Sequence, residues 1–163
     1  EIGFGRGYAT LCMAKAMCDQ GIDGKITTVD PNLDEEFIKG LASIFPKEWF
    51  DKIEFIKCMS DEYFESNPES IFDFIYIDGD HRYEAVKKDW NNSKSRFKKA
   101  LLFDDYHFGT KKQKDIECAK LIDEIDDDTK ELIILDRRIF VDDRGYGDNK
   151  IDYGQVLLTK DEG

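Results

Sequence analysis

Acidic residues close one apolar run after another along this sequence. Asp30 follows Lys25-Ile26-Thr27-Thr28-Val29, and Ser60 and Asp61 come after Ile53-Glu54-Phe55-Ile56. Asp78 follows Phe72-Asp73-Phe74-Ile75-Tyr76-Ile77, and Asp104-Asp105 follows Ala100-Leu101-Leu102-Phe103. If these runs are strands of a parallel sheet, the acidic residues share the edge where ligands sit. Strand ends are polar in most proteins, so any single one reads as structural; the repetition is what points to a site. Three carboxylates converging from adjacent strand ends, Asp78, Asp104 and Asp105, would repel one another unless a cation lay among them. Oxygen-only donors suit Mg²⁺ or Ca²⁺ better than Zn²⁺. A divalent cation weakens the proton of a bound hydroxyl. A neighbouring carboxylate or imidazole, here Asp80 or His81 of Asp78-Gly79-Asp80-His81, then removes it. Taken singly, Asp80 also reads as a cap for the next helix, and His81 as an ordinary surface or core histidine.

The chain opens on Glu1-Ile2-Gly3-Phe4-Gly5-Arg6-Gly7-Tyr8, with a helical pattern following from Ala9. Alternating glycines let a strand turn tightly into a helix and let a ligand lie on the main chain. The helix then presents free N–H groups and its positive end to that ligand. The dinucleotide fingerprint G-x-G-x-x-G would need a glycine at position 8, where Tyr8 stands. The pattern Glu-x-Gly-x-Gly-x-Gly resembles motif I of the class I S-adenosylmethionine-dependent methyltransferases. That resemblance implies that Glu1, Gly3, Gly5, Gly7 and Tyr8 face the methionine part of the cofactor. Asp30 is spaced to meet the adenosine ribose, whose hydroxyls a carboxylate can accept. Ser60 and Asp61 are expected near the adenine, although Ser60 also reads as a helix N-cap. Asp78 completes the expected cofactor-binding set.

The elements that must position these residues alternate. Leu11, Ala14, Met17 and Cys18 repeat at helical spacing, so a helix is predicted from about Tyr8 to Gln20. The strand at 25–29 is followed by a helix over Leu33–Ile44, closed by Phe45-Pro46. The strand at 53–56 leads to a short helix from Ser60. The almost wholly apolar run at 72–77 suits a central parallel strand, and a helix over Tyr83–Phe97 follows it. After the strand at 100–103 come a helix over Lys111–Ile125 and a strand at 132–135. Arg137–Lys150 reads as a polar loop, and Gln155–Leu158 as a closing strand. Alternation of this kind predicts an α/β fold with helices on both faces of a mainly parallel sheet. The last two strands have no helix between them and should form an antiparallel hairpin.

That order resembles the Rossmann-like class I methyltransferase fold over nearly the whole chain, and implies a single domain with a seven-stranded sheet. Glu1 would end a strand whose apolar body is missing, so the first strand is expected to be truncated and upstream residues to exist. The stretches Asp78–Val86 and Leu101–Tyr106 resemble segments of the metal-dependent sugar O-methyltransferases of macrolide and aminocoumarin biosynthesis. The resemblance implies Mg²⁺ on Asp78, Asp104 and Asp105, and gives Asp80 the position of the proposed general base. The catechol O-methyltransferases are less similar: they share the Glu-x-Gly start and a pair like Gly7-Tyr8, but carry a lysine where this chain has His81. Tyr106 and His107 would shape the acceptor pocket, and Trp49 and Trp90 would pack. The run at 123–128 would be a solvated helix end, and Arg137-Arg138 a loop or partner surface.

Composition narrows the partners. Apolar residues at 40 % and aromatics at 13 % of 163 residues suit a folded core. The net charge of −12 argues against a nucleic acid partner. No run reaches membrane-span length. Cys12, Cys18, Cys58 and Cys118 form no C-x-x-C pair and suit a reducing cytoplasm. The expected partner is a small-molecule acceptor with a sugar or phenol-like hydroxyl, and the resemblance suggests a homodimer. Three rivals stand: a metal-independent methyltransferase of the same fold, a non-catalytic binding domain, and, least favoured by the glycine spacing, a nicotinamide dehydrogenase.

Overall fold

The computed structural model describes residues 1–108, 116–140 and 149–160. They belong to two compact units, Glu1–Pro68 and Glu69–Gly163.

In the first unit, Gly3 turns the chain into helix α1 (Tyr8–Asp19), which buries Thr10, Leu11 and Ala14. The β-branched run forms strand β1 (Ile26–Val29). Helix α2 (Glu35–Ile44) starts later than the apolar pattern suggests. The Asp34 side chain accepts the N–H groups of Glu36 and Phe37 and fixes the start there. A short helix not foreseen in the sequence, α3 (Lys47–Phe50), follows Pro46. Strand β2 (Ile53–Ile56) pairs with β1 in parallel, Ile26 opposite Ile53 and Val29 opposite Ile56. Helix α4 (Ser60–Ser66) has Met59 rather than Ser60 at its N-cap. The Met59 N–H is taken by Glu62 Oε2 at 3.1 Å, and Ser60 is buried as the first helical residue. The core of this unit joins Ile2, Phe4, Leu11, Ile26, Val29, Leu33 and Phe64. Phe4 meets Phe55 edge to face at 5.5 Å. The stacked Phe45 and Trp49 rings lie 5.7 Å apart, consistent with a packing role for Trp49.

In the second unit, strand β3 (Phe72–Ile77) is buried over Ile75–Ile77 but exposes Asp73 and Phe74. Helix α5 (Tyr83–Ser93) ends earlier than expected, because the Arg96 N–H turns back onto Ser93 O at 2.8 Å. Phe97 then enters strand β4 (Phe97–Phe108) opposite Phe72. Helix α6 (Cys118–Glu124) follows a non-helical Ile116-Glu117; the part of the expected helix at 111–115 lies outside the described residues. Strands β5 (Glu131–Phe140) and β6 (Asn149–Thr159) form the expected antiparallel hairpin. They are longer than their apolar cores. Arg137 pairs with Asp152 and Phe140 with Asn149, so the ladder extends through a stretch that reads as a polar loop. Residues 141–148 of that stretch lie outside the described residues.

The strand order here is β3-β4-β6-β5, parallel between β3 and β4 and antiparallel elsewhere. Leu101, Phe103, Ile122 and Leu158 are fully buried at its centre, and the Trp90 ring packs 5.7 Å from Phe103. Lys130 Nζ closes the C-terminus of α6 by donating to Ile122 O at 3.0 Å and Ile125 O at 2.7 Å. The seven-stranded, mainly parallel sheet expected from the sequence is not what these residues form. They give a two-stranded parallel pair and a four-stranded mixed sheet. The first of the seven strands is reduced to a parallel bridge between Ile2 and Val29, because the chain turns away at Gly3.

Candidate functional site

The glycine turn is built by its own backbone and by one carboxylate. Gly3, Gly5 and Gly7 have φ of 92°, 52° and 75°, the left-handed region that glycine enters without steric cost. Asp30, at the end of β1, accepts the N–H of Phe4 at 2.9 Å and of Gly5 at 3.2 Å through Oδ2, and of Asn32 at 2.7 Å through Oδ1. Sequence reading assigned Asp30 to a ribose; in the structure it fastens the turn. The glycines differ in their surroundings. A Cβ on Gly5 would meet nothing within 4 Å, whereas one on Gly7 would lie 2.6 Å from Phe4 Cζ. Open space over Gly5 is what a ligand lying on the main chain needs, and Gly7 is a glycine because Phe4 fills its place. Glu1 is held between two hydroxyls, Thr28 Oγ1 donating at 2.6 Å and Thr10 Oγ1 also bonding to it. Burial pushes its carboxyl pKa up, against the effect of these two bonds. Tyr8 is 81 % exposed, and Asp61 is half-buried beside the buried Ser60. Thr10 and Thr28 escaped sequence reading, since single threonines inside a helix and a strand carry no signal of their own.

The acidic residues of the second unit gather around a bulge. Strand β4 pairs Phe103 with Val156 and then Tyr106 with Gly154, so Asp104 and Asp105 together oppose Gln155. Such a bulge bends the strand and re-aims a side chain. Among the described residues Asp105 is the one non-glycine residue with positive φ, at 52°. The two aspartates consequently reach different partners. Asp104 Oδ1 accepts from Gln155 Nε2 at 3.0 Å, and that amide lies 3.4 Å from the Tyr76 hydroxyl. Asp105 Oδ2 accepts from His81 Nδ1 at 2.8 Å. This hydrogen bond is the main cause that pushes the His81 pKa up to about 10.

Asp78, His81 and Asp105 bring one potential ligand atom each to within 4.8 Å of one another. Asp104 is not in that group, and His81, read from the sequence as a base, is. Asp80 is engaged elsewhere on its own loop. Its carboxylate accepts from Arg82 Nε at 2.9 Å and Arg82 N at 3.0 Å, and also pairs with Arg82 Nη2. The Arg82 hydrogen bonds hold the Asp80 pKa below its ordinary value. The Tyr106 hydroxyl donates to Asp123 at 2.7 Å, and burial lifts its pKa to about 12. The side chain of His107 lies outside the described residues. Sequence reading missed Gln155 and Arg82; a lone glutamine opening an apolar strand was the only available cue.

The sequence of residues 1–106 matches the methyltransferase-domain family, nearly two thirds of the chain and including the glycine turn, Asp78 and the Asp104-Asp105 pair. The chain belongs to this methyltransferase family. The class I S-adenosylmethionine-dependent methyltransferase expected from the sequence is therefore borne out at the level of family and enzyme class. No curated protein matches the methyltransferase closely enough to count as a relative. Solved structures share its fold. The O-methyltransferase TomG from Streptomyces achromogenes, involved in tomaymycin synthesis and determined with S-adenosylmethionine, aligns with a TM-score of 0.61 at 13 % identity, over 98 % of this chain and 71 % of its own. An O-methyltransferase from Bacillus cereus, determined with S-adenosylhomocysteine, aligns with a TM-score of 0.58 at 17 % identity, over 98 % and 72 %. At such identities the likeness is one of fold. Among the described residues no helix of the methyltransferase is long and apolar enough to cross a membrane.

Proposed function

We propose that this methyltransferase transfers the methyl group of S-adenosylmethionine to a hydroxyl of a small molecule, with a divalent cation at the acidic cluster. The observation that carries the reading is the convergence of Asp78, His81 and Asp105 at the end of β3 and the bulge of β4. The two solved O-methyltransferases described above agree with an oxygen acceptor.

The cofactor fits the glycine turn, where the space over Gly5 is open and three backbone φ angles suit close approach. Glu1, Gly3, Gly5, Gly7 and Tyr8 would hold its methionine part, Asp30 its ribose, and Ser60 and Asp61 its adenine, with Asp78 completing the set. When bound it supplies a methyl group already activated on a sulfonium. Asp78 and Asp105 would hold the cation, in an oxygen-rich setting that suits Mg²⁺. Asp104 remains the third proposed ligand. A carboxylate has about four lone-pair sites, so the Gln155 bond orients Asp104 without spending it. The cation supplies a lowered pKa at the acceptor hydroxyl.

What the chain itself must do is align that hydroxyl and take its proton. Two groups on one loop are proposed for the proton, Asp80 and His81. Arg82 makes Asp80 a weaker base, and Asp105 occupies His81 Nδ1, so each candidate already has a partner.

Kinetics separate the roles. EDTA should abolish turnover and Mg²⁺ restore it. Asp105→Asn should lower activity in a way that higher Mg²⁺ partly rescues, since an amide is a weaker ligand but still a ligand. Whichever of Asp80→Asn and His81→Gln lowers kcat without changing Mg²⁺ dependence identifies the base. Activity that survives EDTA and substitution of Asp78, Asp104 and Asp105 would sink the cation reading and leave a metal-independent methyltransferase. Gly5→Val should abolish S-adenosylmethionine binding in calorimetry.

A further inference from the structure

The loop from Asp78 to Tyr83 carries one proposed cation ligand and both groups proposed for the proton. Asp78 to Arg82 form no helix or strand, so something outside the loop must fix them. The start of α6 does so. The Glu117 N–H donates to His81 O at 2.8 Å, and Glu117 Oε2 accepts from the Tyr83 N–H at 3.0 Å. These two bonds straddle Arg82 and grip the loop from both sides.

The second bond has a further role. Tyr83 is the first residue of α5, whose opening N–H groups lack partners within the helix. The N-cap residue Arg82 offers no side-chain cap. Glu117 supplies that cap from a different element, 34 residues along the chain. Its neighbour Cys118 is buried with Sγ 3.8 Å from the same His81 carbonyl. At the far end of α6, Glu124 accepts the Tyr83 hydroxyl at 2.6 Å. The loop is therefore pinned along the length of α6. Glu117 lies beyond the 1–106 segment that matches the family.

We propose that Glu117 is a positioning residue, whose two-sided grip on His81 and Tyr83 holds the loop so that His81 stays in register with Asp105 and Asp78. This inference rests on reading that loop as a cation site, and its test separates the two. Mn²⁺ serves as the probe, its affinity read by electron paramagnetic resonance. The ring ¹³C resonances serve as a second, metal-free readout; the chain has only two histidines, and His81→Gln assigns His81.

Glu117→Ala removes the Tyr83 bond and leaves the backbone N–H on His81 O, and should still weaken Mn²⁺ binding, by about tenfold at most. It should also shift and broaden the His81 resonance without Mn²⁺ present. Glu117→Gln keeps an oxygen for the Tyr83 N–H and should stay within about threefold of the parent, because a neutral acceptor makes a weaker but real bond. A Glu117→Ala protein that melts lower yet keeps the parent's Mn²⁺ affinity and His81 signal would overturn the proposal, leaving Glu117 a plain helix cap. If Asp105→Asn binds Mn²⁺ as well as the parent, the cation reading fails instead, and the His81 resonance alone then decides whether Glu117 holds the loop.

Discussion

Gly5 and Gly7 stand two residues apart in one motif, yet an alanine should harm them in different ways. Both have positive φ, so each alanine carries the left-handed cost of about 1 to 2 kcal/mol. Part of that is offset, by about 0.4 to 1 kcal/mol, because alanine also restricts the unfolded chain. The net for Gly5→Ala is therefore about 1 kcal/mol, since its Cβ meets nothing within 4 Å. At Gly7 the new methyl would sit 2.6 Å from Phe4 Cζ and 3.3 Å from Leu41 Cδ1. Phe4 cannot swing aside freely, because it is buried and set edge to face against Phe55. Overpacking of this kind adds about 1 to 3 kcal/mol, for a total of about 2 to 4 kcal/mol. With a urea slope of about 2 kcal/mol/M, the midpoints should fall by about 0.5 M for Gly5→Ala and about 1 to 2 M for Gly7→Ala. Calorimetry with S-adenosylmethionine should show the opposite order. Gly5→Ala should lose affinity, because its methyl enters the open space, while folded Gly7→Ala should keep it. Equal midpoints, or equal losses of affinity, would refute the division of labour between the two glycines.

Asp105→Gly should be more stable than Asp105→Ala by about 1 kcal/mol, because only alanine is strained at φ 52°, although both lose the contact with His81; urea denaturation of the pair decides it. Thr28→Val should cost about 1.5 to 3 kcal/mol by removing a hydroxyl from the largely buried Glu1 carboxylate, read by thermal unfolding against the parent. Lys130→Met should cost about 1 kcal/mol, since it frees two carbonyls at the end of α6, and should speed amide exchange in that helix first.

The strands that carry the site were legible because their apolar runs are short and sharply bounded. β2 and β3 have the bounds read from the sequence, and Asp78 stands where β3 releases the chain. The glycine turn was legible because few backbones other than a tight βα turn need three alternating glycines. The bulge was not. Nothing in Asp104-Asp105 distinguishes a strand end from two residues opposing one, since that is decided by β6, about 50 residues later. The same holds for the length of the hairpin, in which β5 and β6 each make a strand of polar residues that neither would form alone. Arg82 and Gln155 were out of reach for another reason. Which donor a carboxylate takes depends on rotamers, and spacing says nothing about them.

The bulge also has a genetic reading. Two residues occupy the place of one opposite Gln155, so loss of either aspartate codon would let β4 and β6 pair without interruption. The residues after it, Tyr106 onward, would keep their partners and their faces. Such a deletion would leave a more regular sheet with one proposed cation ligand fewer. On the proposed cation reading, a single three-base event should thus separate an active chain from a well-folded relative of impaired activity. Inactive copies of this protein, where they arise, should be sought first as chains one residue short at this point.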